Sequence, residues 1–311
     1  MNRRRLVLHP DDRAGSAARA VLRVQLRRFG REVAGARAGE VEPVHQLRVA
    51  TRRLRAALAV FAPVVAGAET LREELSWVGR QIGAVRDLDV LGEAVGARAR
   101  ALGPARCTAL APVVEEIRAR RVVAHRALVR ALDARRSRVL LARLDALAAA
   151  PGSRRDGARL GELAPDHVRP LVRAVRRAGR HLDADAPAEA LPRLRVRAKR
   201  LRYALESLAA LAPDLPKLIG GLERLQEILG AHQDAVTQAA WLERHVEETT
   251  LPPRTLVAIG MVIAGLEREG RRMRRRFPRA WAKVAPRLRG RVLGVAIAPR
   301  PRLRLVRAEG A

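Results

Sequence analysis

One basic segment occurs twice in this chain, 147 residues apart. Residues 46–61 read QLRVATRRLRAALAVF and residues 193–208 read RLRVRAKRLRYALESL, and eight of these sixteen positions are identical without a gap. Solenoid repeats recur at periods of about 20 to 50 residues, so this longer spacing indicates a duplicated half of a domain. Three further positions share the offset: Gly83 with Gly230, Ala84 with Ala231, and Asp87 with Asp234.

The composition indicates a folded protein with a polyanionic partner. Apolar residues make up 48% of the 311 residues, which is enough to build a core. The formal net charge of +30 favours binding to nucleic acid, an anionic membrane or another phosphate polymer. A GC-rich genome would explain why only Lys199, Lys217 and Lys283 are lysines. It would not explain why 62 basic residues stand against 32 acidic ones.

Aromatic residues are too rare for a surface that stacks unpaired bases. They make up 2% of the chain, and Tyr203 is the single tyrosine. Proteins that bind single strands normally place several aromatic side chains in a basic groove. The sequence therefore disfavours base recognition.

Cysteine usage and hydropathy favour a soluble, cytoplasmic protein. Cys107 is the single cysteine, so an internal disulfide and a cysteine zinc cluster are both excluded. The first twelve residues hold too few apolar residues for a signal peptide. The longest uncharged apolar run, 56–68, contains Pro63 and is shorter than the ~20 residues of a membrane span. We expect no membrane association.

The hydrophobic pattern predicts an all-α protein. Nearly every segment repeats its apolar residues at helical spacing, and none alternates convincingly as a β-strand does. Proline and glycine clusters mark the breaks between segments. Helices are predicted over 12–36, 43–65, 68–102, 105–133, 136–149, 163–184, 188–211, 214–248 and 252–284.

The repeat offset divides this helical chain into two halves. We expect two antiparallel four-helix units, 1–150 and 153–288, joined near 151–156. After residue 288 the helical periodicity is lost. The segment 289–311 is predicted to be a basic tail, or a short extended piece packed on the body.

The repeated segment places cations beside the apolar stripe of a helix. At 100° per residue, Leu47, Leu54 and Leu58 form the apolar stripe of the first copy. The cationic stripe next to it consists of His45, Arg48, Arg52 and Arg55, matched by Arg195, Lys199 and Arg202 in the second copy. Charge at a seam between helices predicts a groove for an anion. Arginine suits phosphate because its planar fork donates two hydrogen bonds and stays charged.

A structural interpretation of these stripes stands beside the functional one. The arginines could cover apolar surface with their stems and pair with acids of a neighbouring helix. Their repetition, and the scarcity of acids within the stripe, favour ligand binding. Glu206 alone joins the stripe, four residues after Arg202, where it can orient that guanidinium. Arg53 and Arg200 lie on the other flank, where they either line the opposite wall or bond to helix-end carbonyls.

Four ordered motifs resemble those of the CHAD family, whose name denotes a conserved histidine α-helical domain. They are VHQLRVATRRLRAAL at 44–58, AVRDLDVL at 84–91, LRVRAKRLRYALE at 194–206 and LQEILGAHQDA at 225–235. The resemblance extends from about residue 12 to residue 285, so it covers nearly the whole chain.

This resemblance implies both an architecture and a ligand. The architecture is two pseudo-symmetric four-helix bundles that face each other across a basic cleft, and the ligand is inorganic polyphosphate. The family's basic positions map onto His45, Arg48, Arg52, Arg53, Arg55, Arg195, Lys199, Arg200 and Arg202. Residues expected to support this site indirectly are Arg86, Asp87, Tyr203, Glu206, His232 and Asp234.

The chain departs from the family pattern in its second copy. Similar proteins read L-H-R-L-R there, but Pro192 replaces the histidine, so one expected ligand is missing. Proline fits the first turn of a helix, and the fold is expected to survive. Members also often carry a triphosphate-tunnel domain. This chain has no room for one, so we expect a stand-alone module, with any catalysis by such a partner in trans or absent.

Two interpretations of His232 stay open. It continues the apolar line of its helix, which favours a hydrogen-bonded core histidine over a direct ligand contact. The acids Asp87 and Asp234 either position cleft arginines or form ordinary surface pairs.

No motif in the sequence indicates an enzyme, a metal site or a cofactor. A His-Glu-x-x-His zinc pair, a glycine-rich P-loop and a nucleophilic serine motif are all missing. The leading hypothesis is a non-catalytic polyphosphate-binding module, associated with polyphosphate granules in the cytoplasm. A sequence-independent nucleic-acid binder is the second, because 271–276 forms a further basic run. A phosphohydrolase is the third, and would need a metal-binding carboxylate cluster or a general base.

Overall fold

The computed structural model describes residues 6, 8–151, 157–180, 182, 187, 189–212 and 214–289. Within these ranges the chain forms nine α-helices and no β-strand. Two of the expected features, the joint at 152–156 and the tail from residue 290 onward, lie outside the described residues. The prediction of an all-α protein is confirmed.

Helices α1 to α5 follow one another with connections of one to seven residues. Two single-turn 3₁₀ helices, Ala62–Val64 and Ala209–Leu211, interrupt the series. The α-helices are α1 (Ala14–Ala38), α2 (Val41–Val60), α3 (Ala68–Ala101), α4 (Pro104–Asp133), α5 (Arg135–Ala149), α6 (Leu160–Gly179), α7 (Ala190–Ser207), α8 (Leu215–Glu248) and α9 (Pro253–Val284).

Three helices end before their predicted positions, and one of them is α6, which was predicted over 163–184 and spans Leu160–Gly179. Helix α2 ends at Val60 and α7 at Ser207, several residues earlier than the apolar pattern indicated. Pro63 lacks a backbone N–H, so the chain after α2 tightens into a 3₁₀ turn instead of continuing the helix. The end of α7 and the 3₁₀ turn after it lie 147 residues later, and α3 and α8 match at both ends with the same offset.

Two hydrophobic clusters fill the interior. The larger one gathers buried residues of α1, α2, α3, α6, α7 and the first half of α8, including Leu54 and Leu201, which have no exposed surface. The smaller one joins the C-terminal part of α3 and the N-terminal half of α4 to the C-terminal half of α8 and the N-terminal half of α9. Leu110 and Val262 are among its residues. Each cluster contains residues from both halves of the chain, so burial of apolar surface ties the halves together.

Backbone hydrogen bonds also connect the beginnings of the two halves. The amide of Ala14 donates to the carbonyl of Ala158 at 3.0 Å, and the amide of Leu160 donates to the carbonyl of Asp12 at 2.8 Å. These bonds satisfy donors at the first turns of α1 and α6, which a helix leaves without internal partners. Helix α2 of the first half and helix α7 of the second half pack directly against each other.

Candidate cationic site between helices α2 and α7

Arg48 of α2 is held against α3. Its Nη2 lies 3.2 Å from Oδ1 of Asp87, and its side chain is 21% exposed. Gly83, one turn before Asp87, makes room for the guanidinium, because a Cβ at this position would lie 2.6 Å from Nη1 of Arg48. This Nη1 is buried and has no hydrogen-bond acceptor among the described residues. Because this nitrogen is enclosed against Gly83, the guanidinium is buried with one donor unsatisfied.

Arg195 of α7 repeats this arrangement against α8. Its Nη2 lies 3.9 Å from Oδ1 of Asp234, and its side chain is 24% exposed. Nε of Arg195 is buried and, within the described part of the chain, has no acceptor. Gly230 faces it with more space than Gly83 allows Arg48, since a Cβ there would lie 4.0 Å from Nε. The repeat therefore places one arginine, one glycine and one aspartate together in each half.

The two arginines belong to one electrostatic cluster. Burial lowers the pKa of Arg48, and Arg52 and Arg195 lower it further, while Asp87 acts in the opposite direction. Burial likewise lowers the pKa of Arg195, against the raising effect of Asp234. A guanidinium keeps its proton in proteins, so these shifts measure the cost of crowded, partly dehydrated positive charge. A polyanion would relieve that cost.

An open recess of 580 Å³ continues the cluster along α2 and α7. It contains five of the nine predicted ligand residues and adds Arg72 of α3 and His167 of α6. Its charged and polar lining consists of Arg52, Arg55, Arg72, His167, Arg195, Lys199, Arg200 and Tyr203. No metal-binding group of three or more His, Cys, Asp or Glu residues occurs among the described residues.

Lys199 has the most strongly shifted pKa at this site. Burial lowers it to about 7, and the charges of Arg195 and Arg52 contribute in the same direction. Asp234 opposes the shift only in part. In contrast to the arginines, this lysine can release its proton near neutral pH, so the charge of the site varies with pH.

Arg72 and His167 were not predicted from the sequence. Burial and then Arg72 lower the pKa of His167, and burial followed by Arg72 and Arg200 lowers that of Arg55. The repeat did not reveal Arg72, because its counterpart 147 residues later is Ile219. Helical spacing would have been informative, since Arg72 shares one face of α3 with Gly83 and Asp87.

Arg53 and Arg202 are paired with carboxylates. Nε of Arg53 donates to Oε2 of Glu206 at 2.9 Å. Nη1 of Arg202 lies 3.0 Å from Oε1 of Glu206 and 2.9 Å from Oε1 of Glu223, and its guanidinium stacks 4.7 Å above the ring of Tyr203. The pairing of Glu206 with Arg202 is the one that their spacing suggested. The contact of Arg53 with Glu206 was not among the alternatives that the sequence left open, whereas Arg200 lines the recess.

His45 stands at the other end of the cationic cluster. Burial lowers its pKa, and the neighbouring Arg86 of α3 lowers it further. Arg86 also acts on Asp234, so this end of the cluster draws on α2, α3 and α8. The position equivalent to His45 in the second copy is Pro192, which lies in the first turn of α7.

His232 lies in the interior of α8 and is 9% exposed. Its Nδ1 is 3.0 Å from the carbonyl oxygen of Gly270 on α9, to which it donates. This geometry matches the hydrogen-bonded core histidine that the sequence favoured.

Comparison with known proteins decides the family. The model of the CHAD domain matches residues 20–243. The chain belongs to the CHAD domain family. The motifs at 44–58, 84–91, 194–206 and 225–235 thus predicted the family correctly.

The curated relatives that match this chain are longer than it. Uncharacterized proteins from two strains of Mycobacterium tuberculosis are 31% identical over 208 residues. That match covers 64% of this chain and 40% of each relative. The chain therefore spans less than half the length of the curated relatives it matches.

Two solved structures share the fold. A crystal structure of the CHAD domain from the plant Ricinus communis superposes with a TM-score of 0.75 at 23% identity, over 91% of this chain and 96% of that one. PptA from Streptomyces chartreusis superposes with a TM-score of 0.67 at 23% identity, over 86% of this chain and 99% of that one. The all-helical CHAD architecture is thus established for this chain. No helix in the described part of the chain is long and apolar enough to cross a membrane.

Proposed function

We propose that this protein binds inorganic polyphosphate along the cationic site between α2 and α7. The lining of the open recess carries the proposal. Five predicted cations meet there, Arg52, Arg55, Arg195, Lys199 and Arg200, and no described carboxylate belongs to that lining. Crowded positive charge costs free energy, and charge-assisted hydrogen bonds to phosphate offset that cost. The polyphosphate binding that the CHAD motifs imply agrees with this chemistry.

The shape of the site favours a linear polymer over a single phosphate. From His45 to Arg55 the cationic stripe of α2 covers eleven residues, or about 15 Å of helix. On α7, Arg195, Lys199 and Arg200 line one recess together with Arg52 and Arg55 of this stripe. Orthophosphate can contact only a few of these groups at once. A chain of phosphates can contact residues of both helices, and each further contact benefits from effective concentration.

We further propose that the two halves of the fold act as pseudo-symmetric walls of a basic cleft. The equivalent relations of Arg48 with Gly83 and Asp87, and of Arg195 with Gly230 and Asp234, support this picture. In it the aspartates position the arginines, while most of the cleft charge remains available for ligand. Binding without catalysis, on polyphosphate in the cytoplasm and its granules, is the role we assign to the chain.

A titration of labelled long-chain polyphosphate tests the proposal. Removing charge from one wall, in Arg48→Ala/Arg52→Ala or in Arg195→Ala/Lys199→Ala, should lower affinity by about tenfold or more, since several phosphate contacts are lost together. The matched control is Arg23→Ala/Arg27→Ala, which removes two exposed arginines of α1. This control should change affinity by less than about threefold, because it alters only exposed, screened charge outside the lining of the recess.

Competition and salt dependence complete this test. Affinity should fall steeply with salt, because each engaged cation releases a counterion. Orthophosphate at equal phosphate concentration should compete poorly. Full affinity in either wall variant with unchanged circular dichroism, or an equal loss in the α1 control, would refute a shared site between α2 and α7.

Nucleic acid is a second candidate ligand because of a separate surface on α9. Six arginines line an open recess of 470 Å³ along this helix: Arg268, Arg271, Arg272, Arg275, Arg276 and Arg279. Only Arg271 of the six has a carboxylate within 4.0 Å among the described residues, Glu267 at 3.5 Å. All six arginines are exposed, and we refer to them together as the ridge. A helix that presents arginines in this way fits the phosphate-lined major groove of a duplex.

A two-ligand titration separates this candidate from the first. If the ridge binds duplex DNA, Arg272→Ala/Arg275→Ala/Arg276→Ala should weaken DNA binding and leave polyphosphate binding unchanged. The matched control, Arg23→Ala/Arg27→Ala/Arg31→Ala, removes the same charge from exposed positions of α1. Equal losses in both variants would mean that DNA responds only to net charge, which would exclude the ridge as a site.

A further inference from the structure

Three of the 62 basic residues in this chain are lysines, and they lie in very different surroundings. Lys217 has a side chain that is 75% exposed and lies 3.7 Å from Asp214. Lys283 is exposed on α9. Lys199 lines the recess between α2 and α7 and has no carboxylate within 4.0 Å in the described part of the chain. It is the one lysine placed inside a cluster of arginines.

These surroundings make the amine of Lys199 a nucleophile at neutral pH. Burial and the charges of Arg195 and Arg52 lower its pKa to about 7. At pH 7.5 the amine of Lys199 is then neutral, with a free electron pair, in more than half of the protein molecules. For an ordinary lysine the neutral fraction is about one in a thousand. Lysines in cationic pockets are activated for covalent chemistry by the same effect.

The recess also supplies a means of holding a small anionic electrophile. Arg55 and Arg200 line it together with Lys199. Nε of Arg55 is buried and without an acceptor among the described residues. A phosphate bound by these guanidinium groups would place any group attached to it close to the amine. Such a pairing of anchor and nucleophile raises the effective concentration of the reacting atoms.

We propose that Lys199 is a site of acylation by acyl phosphates bound in this recess. The neutral Nζ attacks the carbonyl carbon, a C–N bond forms, and the C–O bond to the phosphate breaks. The phosphate leaves with the bonding electron pair and stays paired with the arginines, while the amine proton passes to water. The product is an amide, and the site loses the charge that Lys199 contributes. The proposal rests on the proposed function to the extent that the same arginines hold phosphate.

The test treats the full chain with acetyl phosphate at about pH 7.5 and follows each lysine by peptide mass spectrometry. Lys199 should be acetylated at least about tenfold faster than Lys283 and Lys217, which serve as internal controls in the same molecule. Added polyphosphate should protect Lys199 and leave the other two rates unchanged. Equal initial rates at the three lysines would overturn the proposal.

A paired variant separates capture of the reagent from reactivity of the amine. Burial has the largest effect on the pKa of Lys199, and the leading charges are those of Arg195, Arg52, Asp234 and Arg48. Arg55→Gln/Arg200→Gln removes two other charges of the recess and keeps most of the side-chain volume that buries Lys199. This variant should slow acetylation of Lys199 by acetyl phosphate several-fold, yet change its labelling by a neutral N-hydroxysuccinimide ester much less. An unchanged rate with acetyl phosphate would overturn the bound-reagent step.

The outcome is distinguishable from failure of the proposed function. Polyphosphate affinity is measured on the unmodified protein by the titration described above, in which Lys199 keeps its amine. Tight polyphosphate binding without selective acetylation would refute the acylation site alone. Selective acetylation without polyphosphate binding would refute the proposed function alone.

Discussion

Arg53 of α2 donates a hydrogen bond from Nε to Oε2 of Glu206 on α7, at 2.9 Å, and so joins the two copies of the repeated segment. The other oxygen of Glu206 lies 3.0 Å from Nη1 of Arg202. The position equivalent to Glu206 in the first copy is Ala59, so this contact has no symmetric counterpart. Glu206 thus compensates two arginines, whereas Arg48 and Arg195 each face a single aspartate in a cluster with Arg52 and Lys199.

Glu206→Gln should lower stability and strengthen polyphosphate binding. The carboxylate is 15% exposed and compensates two arginines, so its neutralisation should reduce the free energy of unfolding by about 1–3 kcal/mol. Removing a negative charge near the site should raise affinity by about twofold to fivefold. Urea unfolding and polyphosphate titration measure the two effects.

Glu189→Gln is the matched control for this change. Glu189 pairs with Arg193 at 2.5 Å, but its side chain is 77% exposed. An exposed pair of this kind contributes less than about 1 kcal/mol. If Glu206→Gln and Glu189→Gln had equal free energies of unfolding, the hydrogen bond between Arg53 and Glu206 would have no structural role.

Alanine at the two equivalent glycines should separate the copies. Gly83→Ala would place Cβ 2.6 Å from Nη1 of Arg48, and the flexible guanidinium would have to move away from Asp87. Gly230→Ala leaves 4.0 Å to Nε of Arg195, which is ordinary contact. Both changes should stabilise a helix interior by about 0.5–1 kcal/mol.

Polyphosphate binding should therefore weaken several-fold in Gly83→Ala and stay unchanged in Gly230→Ala, although both proteins melt at higher temperature. Thermal unfolding and titration on the same samples measure this contrast. Equal affinity of the two variants would show that the position of Arg48 over α3 is irrelevant to binding.

Much of this fold and part of the site follow from the sequence. The helical periodicity predicted all nine helices, because it depends on local pattern. The offset of 147 paired Arg48 with Arg195 and Gly83 with Gly230, since a repeat carries such equivalences directly. The helix ends at Val60 and Ser207 were placed too late, because apolar residues continue into the 3₁₀ turns.

Contacts that depend on the packing of distant helices were not predictable from one sequence. Glu206 meets Arg53 only because α7 crosses α2, and Arg72 meets His167 only because α3 and α6 border the same recess. The lowered pKa of Lys199 has the same origin, since it requires burial and the approach of Arg52 from another helix. A single helix pattern contains none of this information.

The pH dependence of binding should come largely from Lys199. Its pKa is lowered to about 7 in the folded protein, so the amine is charged below that pH and increasingly neutral above it. Polyphosphate favours the charged form, and affinity should fall as pH rises above about 7, by up to about tenfold per pH unit. Folding shows the opposite trend. The cost of burying this charge is fully present below pH 7 and disappears as pH rises toward the unfolded pKa of about 10.4.

Lys199→Arg tests this assignment, because arginine keeps its charge throughout the range. The variant should bind like the parent at about pH 6 and several-fold more tightly at about pH 8.5. Titration of the ligand's own terminal phosphates affects both proteins equally and cancels in the comparison. Parallel pH profiles for the two proteins would assign the pH dependence to another group.

Restoring the family histidine should add a second pH-sensitive ligand. Pro192 lies in the first turn of α7 and three residues before Arg195, so it continues the face that carries Arg195 and Lys199. Pro192→His should strengthen polyphosphate binding selectively below about pH 6.5, where an imidazolium forms, with little change at about pH 8. Burial and Arg86 lower the pKa of the partner position His45, so a histidine at 192 amid similar cations should also titrate on the acidic side. Proline restrains the unfolded chain, so its loss should reduce the free energy of unfolding by about 0.4 kcal/mol or more. Folding of the variant is therefore checked by circular dichroism. A folded variant whose affinity equals that of the parent at about pH 5.5 and at about pH 8 would show that position 192 does not face the ligand, and the site would then end at Arg195.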